Sequence, residues 1–237
     1  MIIWIDDMAT VVVLCAMDCE LEKFVSDFGA ERIDDKEKYF RTQIAGNTVV
    51  CAVCGIGKVN SAMTAQRLID RYSPDIVINC GVAGGLDKRL SVLDTVIAES
   101  AQYHDFYPLS LLEQDEKLGT SLFMCDPELV ELALEVCEEL REKKVIANYV
   151  KGKVVSGDCF VESDEVSRRL RDELHASCVE MEGASIAQVC LANGVRFLVI
   201  RSISDFADNS AEMSYDTFVT LASKQSVEVL GALISKI

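Results

Sequence analysis

The stretch from Val179 to Asp208, VEMEGASIAQVCLANGVRFLVIRSISDFAD, most narrows what this chain can become. Ala184–Cys190 is a small-residue apolar segment, Asn193-Gly194 breaks it, and Phe197–Ile200 reads as a buried strand. A helix, a turn and a strand thus follow one another, with polar residues at both ends of the unit. Glu180-Met181-Glu182-Gly183 opens it, and the strand ends in Arg201-Ser202-Ile203-Ser204-Asp205. Ligands in open α/β sheets sit outside the ends of strands. Glu182, Arg201 and Asp205 are therefore the first candidates for a site.

The rest of the chain repeats this alternation. Strands are expected at Val11–Ala16, Tyr39–Ile44, Thr48–Val53, Ile76–Cys80, Thr95–Glu99 and Val150–Val155. Ala45-Gly46-Asn47 joins two of them as a hairpin. Helices are expected at Cys19–Phe28, Val59–Tyr72, Ser163–Leu174 and Asp216–Ile237. A further helix starts at Pro127, behind Asp126 as its cap, and runs to about Lys143. The segment 102–120 has no clear period and is long enough to suggest a functional role. No linker, repeat or low-complexity tract interrupts the pattern, which describes one α/β domain around a mixed sheet. Because Val11–Ala16 already makes a complete strand, residues 1–8 read as an N-terminal extension to a domain over 9–237. Whether Met1 or Met8 is the true start stays open.

Charge and cysteine content exclude several classes of function. A formal net charge of -16 repels phosphate backbones and anionic membranes, so neither nucleic acid nor a membrane is expected as a partner. No apolar run is long enough to span a bilayer, and the first residues carry Asp6-Asp7 with no Lys or Arg, unlike a secretory leader. Most of the ten cysteines lie inside apolar runs, where a free thiol behaves as a small hydrophobe. A reducing cytoplasm is the expected location. Cys51 and Cys54 have redox-pair spacing but sit within a strand, so core packing explains them better. With only two histidines, His104 and His175, no metal cluster is expected.

The remaining signals are loops at strand ends. Gly55-Ile56-Gly57-Lys58 follows a strand and opens a helix. Asn60 replaces the third glycine of a dinucleotide fingerprint, however, and Val59 follows the lysine where a phosphate loop needs Ser or Thr. A tight turn near a ligand is the better reading. Gly81-Val82-Ala83-Gly84-Gly85 is expected to be a loop that lets the backbone approach a ligand, and Ser156-Gly157-Asp158-Cys159-Phe160 brings an aromatic ring to another strand end. Glu20 lies just past the first strand. Each acid alone is more simply a solvated charge or a helix cap. Three carboxylates and one arginine would surround a pocket only if these strand ends share one crevice.

Together, VEMEGASIAQVC, VIRSISDFAD, CGIGKVN, NCGVAGG and VVSGDCF resemble the nucleoside phosphorylase superfamily, over residues 9–237 and in matching order. The closer resemblance is to its hydrolase branch, the 5′-methylthioadenosine/S-adenosylhomocysteine nucleosidases. It implies a three-layer α/β/α sandwich around a mixed β-sheet, a homodimer, and hydrolysis of an N-glycosidic bond with no metal and no organic cofactor. By this resemblance Asp205 is the acid that protonates adenine N7, Glu20 the base that activates water, and Glu182 the residue that holds the ribose hydroxyls. Arg201 orients the water side and Ser204 supports Asp205. Phe160 stacks on adenine and the backbone at Val161 reads its edge. Met17, Ile56, Met181 and Tyr215 line the ribose and the alkylthio end. Phe106, Tyr107 and Pro108 cover the neighbouring subunit's pocket.

One departure stands out: related enzymes carry Ser or Thr where this chain has Val82. Losing that hydroxyl removes a hydrogen bond to the nucleophile, and a phosphate, which needs several donors, loses more than a water does. Glu20 would also repel an anion. The alternatives are a purine nucleoside phosphorylase, a nucleosidase for another 5′-modified adenosine such as aminodeoxyfutalosine, and a non-catalytic nucleoside-binding protein.

Overall fold

The outermost strands and helices are set by familiar local rules. In the computed structural model, which describes residues 8–34 and 36–237, the chain begins with β1 (Thr10–Cys15), α1 (Asp18–Asp27), β2 (Glu31–Arg32), β3 (Tyr39–Ile44) and β4 (Asn47–Val53). It continues through α2 (Lys58–Tyr72), β5 (Ile76–Gly85), β6 (Thr95–Tyr103), α3 (Ser110–Glu113), β7 (Leu122–Met124) and α4 (Pro127–Glu142). The last third holds β8 (Tyr149–Ser156), α5 (Asp164–Leu174), β9 (Ala176–Glu180), α6 (Gly183–Asn193), β10 (Arg196–Asp205) and α7 (Ala211–Ile234). Of the expected extension 1–8, all but Met8 lies outside the described residues, and Met8 is exposed. Among the described residues no helix is long and apolar enough to cross a membrane.

All the strands join one mixed sheet, whose order is β10-β6-β8-β9-β5-β1-β4-β3-β2 with β7 on the edge of β6. The sheet also turns back on itself, because β10 pairs with β5 as well as with β6. β5, β10, β6, β8 and β9 therefore form a closed ring, and β1, β4, β3 and β2 extend from it. β1, β4, β5 and β10 run parallel where they pair, so the ends of β1, β5 and β10 meet on one side. Helices surround the sheet. α7 packs on β10 and β5 and against α1 and α4, while α6 packs on β8 and β10 and against α2. Their apolar faces meet the valine- and isoleucine-rich strands in a main core that runs from Val11 to Ile234.

Four expectations change. Gly81–Gly85, expected as a loop, is the second half of β5 and is buried throughout. It pairs with β10 and, at Gly84 and Gly85, with Val179 and Cys178 of β9. The absence of side chains suits a strand crowded on both faces as well as it suits a turn. β10 likewise runs on through Arg201–Asp205, beyond the apolar run expected to hold it. β6 extends to Tyr103, so the irregular segment begins later than expected and contains the short α3. Ala176–Glu180, not expected as a strand, is β9.

Asp126 behaves as the sequence suggests: its carboxylate accepts from the N–H groups of Glu128 at 3.1 Å and Leu129 at 3.0 Å, with Pro127 at the first helical position. Asp126→Ala should lower the free energy of unfolding by about 1–2 kcal/mol in a urea titration. An unchanged midpoint would mean that Pro127 alone sets the start of α4.

Candidate active site

Glu20, Glu180, Glu182 and Asp205 are all buried, and all four line one cavity of about 390 Å³ at the meeting of β1, β5, β9 and β10. That volume is in the range of roughly 300–1,000 Å³ usual for small-molecule sites. Met17, Ile56, Val82, Phe160, Met181, Ser204 and Tyr215 complete most of its wall. Larger clefts of about 480 Å³ lie elsewhere, but charged surface residues such as Lys88, Arg171 and Asp87 line them and none of the four buried acids is near.

Glu20 occupies the third helical position of α1 and does the work of a helix cap. Its Oε2 accepts from the N–H groups of Ala16 at 2.8 Å and Met17 at 2.9 Å, and its Oε1 from Val82 N–H at 2.9 Å. Three N–H donors leave about one of the roughly four acceptor positions of an ionised carboxylate free. The plain reading as a cap is therefore correct, and it still leaves an acceptor for a water in the cavity. Burial raises the pKa of Glu20, against the opposing pull of Arg201 and of these backbone donors. Gly81 permits the whole arrangement, since a Cβ there would collide with the Glu20 carboxylate.

Asp205 ends β10 beside an irregularity in its pairing with β5, where the register shifts between Ile203 and Asp205. Asp205 thus faces Gly84, where a Cβ would lie 2.9 Å from its Oδ1. Ser204 Oγ donates to Oδ2 at 2.8 Å and Ala207 N–H to Oδ1 at 2.8 Å. Burial outweighs both and raises the Asp205 pKa. A carboxyl group that keeps its proton in a cavity can hand that proton to a leaving group.

Glu182 caps the route from β9 into α6, and its Oε1 accepts from Gly57 N–H at 2.8 Å. Burial first, then the charge of Glu180, pushes its pKa up to about 8. Phe160 and Tyr215 stand edge to face with ring centroids 5.6 Å apart, and Tyr215 OH lies 3.1 Å from Met17 Sδ. These two rings and the Met17 thioether form an apolar wall with polar tips.

Two expected site residues stand elsewhere. Arg201 is not on the cavity wall. It is almost wholly buried behind it, donating from Nη2 to Glu180 Oε2 at 2.5 Å and to Asn79 Oδ1, and from Nη1 to Ile200 O at 3.0 Å. Burial opposes its charge, but Glu180, Glu182 and Glu20 together outweigh burial and hold its pKa above the usual guanidinium value. Its influence on Glu20 is therefore electrostatic and not by contact. Val161 is also off the wall, with its side chain in a small satellite core with Leu86, Val155 and Ala207. Phe106, Tyr107 and Pro108 are exposed on the loop after β6 and stand apart from the cavity of their own chain.

Glu180 and Asn79 are the partners that sequence reasoning missed. Glu180 binds Arg201, accepts from Ser156 Oγ, and takes the N–H groups of Glu182 at 3.0 Å and Gly183 at 2.8 Å. Asn79 donates to Leu14 O at 3.0 Å and accepts from Arg201. A signal for Asn79 was present: a lone amide inside the apolar run Ile76–Cys80 needs a buried partner.

Comparison with known proteins bears on the family and the fold. The family model described as the phosphorylase superfamily matches residues 10–236. A 5′-methylthioadenosine/S-adenosylhomocysteine nucleosidase of Glaesserella parasuis is 36% identical over 201 residues, covering 84% of this chain and 85% of that protein. The crystal structure of the Neisseria meningitidis enzyme of that name, in complex with methylthio-immucillin-A, aligns with a TM-score of 0.89 at 32% identity, covering 97% of this chain and 100% of the other. A futalosine hydrolase of Helicobacter pylori aligns with a TM-score of 0.86 at 32% identity over 97% of this chain and 99% of its own.

The raised pKa of Glu182 has a consequence for stability. An acid whose pKa is higher folded than unfolded stabilises the fold below its unfolded value and loses that contribution as pH rises through the folded one. The ligand-free protein should lose stability between about pH 4.5 and about pH 8, and Glu182→Gln should flatten that fall. Urea midpoints measured across this window test it; parallel curves for the two proteins would contradict the assignment.

Proposed function

The chain belongs to the phosphorylase superfamily, and we propose that it hydrolyses the N-glycosidic bond of 5′-methylthioadenosine and S-adenosylhomocysteine to adenine and the thio-ribose. The observation that carries this reading is that two buried carboxyl groups line one cavity, Asp205 with its pKa raised by burial and Glu20 with an acceptor position left free by its three backbone donors. Asp205 gives its proton to N7 as the bond from C1′ to adenine breaks, so that adenine leaves neutral. Water, relieved of a proton by Glu20, forms the new bond to C1′. Glu182 holds the ribose hydroxyls and places negative charge beside the developing oxocarbenium ion. Arg201 acts from behind, keeping the acids together. Phe160 stacks on adenine, with the Val161 backbone at its edge, while Met17, Ile56, Met181 and Tyr215 receive the ribose and the alkylthio group.

Val82 supports hydrolysis over phosphorolysis. Its backbone N–H is already given to Glu20, and its side chain offers a phosphate no donor. The likeness to a futalosine hydrolase supports a second reading, in which another 5′-substituted adenosine is the preferred substrate. The same chemistry serves both, and the apolar end of the cavity separates them.

The site is completed in a homodimer, on this reading, with Phe106, Tyr107 and Pro108 covering the partner's cavity. The exposed Val59, Met63, Leu111 and Leu191 support a further apolar contact. Ten unpaired cysteines, most of them buried, suit the reducing cytoplasm.

Adenine release should proceed in phosphate-free buffer, and a panel of 5′-substituted adenosines should rank the substrates; strict dependence on phosphate would sink the hydrolytic reading. Asp205→Asn should lower kcat by roughly 10²–10⁴-fold while ligand still binds in calorimetry. Glu20→Gln should lose a comparable factor, since it removes the water's proton acceptor, and wild-type turnover in either variant would mean that the wrong carboxylate was named. Tight binding by the wild-type protein without turnover would point to a nucleoside-binding protein instead.

A further inference from the structure

Two segments that reach the cavity, at Ile56 and at Phe160, meet the end of β6 at one cation outside it. Lys58 is the first residue of α2 and follows Gly57, whose N–H binds Glu182. Its own N–H donates to Asp158 Oδ1 at 2.8 Å. Its Nζ binds both oxygens of Asp105, at 2.7 and 2.6 Å, and lies 3.6 Å from Asp158 Oδ2. Asp158 N–H in turn donates to Asp105 Oδ2 at 2.9 Å. The ammonium group also lies 5.4 Å from the centre of the Tyr103 ring, within cation–π range. Asp158 stands two residues before Phe160, and Asp105 directly precedes Phe106.

We propose that Lys58 is a positioning residue for the nucleosidase reaction, tying the loop that carries Phe160 to the helix start that binds Glu182. This rests on the reading of Phe160 as the ring that stacks on adenine. A surface ion pair contributes little by itself, which is the plain alternative. Lys58 differs because its side chain is only 23% exposed and its ammonium lies between two carboxylates, one of which, on Asp105, also accepts from the Asp158 N–H. Without the cation, Asp105 and Asp158 would face each other with like charge, and the bond from Asp158 N–H to Asp105 would no longer hold the loop against its own repulsion. Phe160 is 45% exposed and rests edge-on against Tyr215. Gly57 belongs to the same junction, since a Cβ there would lie 3.0 Å from Asp158 Oδ1.

Lys58→Met and Lys58→Arg separate charge from bulk. Steady-state hydrolysis of 5′-methylthioadenosine should show KM raised about tenfold in Lys58→Met with kcat changed less than about threefold, and Lys58→Arg should restore most of the loss. In ligand-free protein, the exposed Cys159 thiol reports on the same loop. Its reaction with a disulfide reagent, located by peptide mass, should be several-fold faster in Lys58→Met and near wild type in Lys58→Arg. Unchanged KM and unchanged Cys159 labelling would overturn the proposal, as would a loss confined to kcat. Should Lys58→Met fail to fold, Asp105→Ala removes the acceptor shared by Lys58 Nζ and Asp158 N–H, and wild-type KM and labelling in that variant would equally overturn it. If the wild-type protein releases no adenine, the proposed function fails, while Cys159 labelling still decides whether Lys58 holds the loop.

Discussion

Four carboxylates share the inner end of this sheet, and among the described residues Arg201 is the only buried cation. A buried ion pair is held in place less by its own attraction than by the cost of leaving either charge alone. Removing one partner of such a pair typically costs roughly 3–5 kcal/mol. Arg201 neutralises Glu180 directly, and Glu180 fixes the backbone at Glu182 and Gly183, where α6 begins. The cation is thus used up within the protein. Glu182 and Asp205 have no cation in contact, and burial acts on them with little opposition. The same imbalance raises the pKa of both above the usual carboxylate values.

The glycines of β5 solve the spatial side of this problem. Backbone pairing holds the strand between β1 and β10, while Gly81 and Gly84 leave room for the two acids that lie over it, Glu20 and Asp205. The two carboxyl groups thus lie over positions three residues apart on one strand. Val82, between them, contributes its backbone rather than its side chain. A side-chain hydroxyl at this position is therefore not needed to hold Glu20.

Much of this was legible in the chain. Asp126 before Pro127, the hairpin at Ala45–Asn47 and the periodic α1 all obey local rules, so their elements stand where expected, within a residue or two. Glu20, Glu182 and Asp205 were found as acids at strand ends, and only the family resemblance gave them separate tasks. What escaped was set by pairing at a distance. Nothing local distinguishes a glycine-rich loop from a glycine-rich strand until β9 and β10 arrive to pair with it. Glu180 looked like one more charge in an acidic run, because Ser156 and Arg201, which satisfy it, come from β8 and β10. Arg201 looked like a residue facing ligand for the same reason.

The closed ring of strands has a consequence for how the protein reaches its working state. β5 and β10 pair although their sequences lie far apart, and Gly57 meets Glu182 across 125 residues while Arg201 meets Asn79 across 122. Contacts of such separation are the slow ones to form, because the loop entropy must be overcome before the contact repays it. A chain emerging from synthesis holds β1, α1 and β5 before β10 exists, so Glu20 can reach its backbone donors while Gly84 has as yet no Asp205 to face. Closure of the ring is the step that brings Asp205 to the cavity where Glu20 already stands.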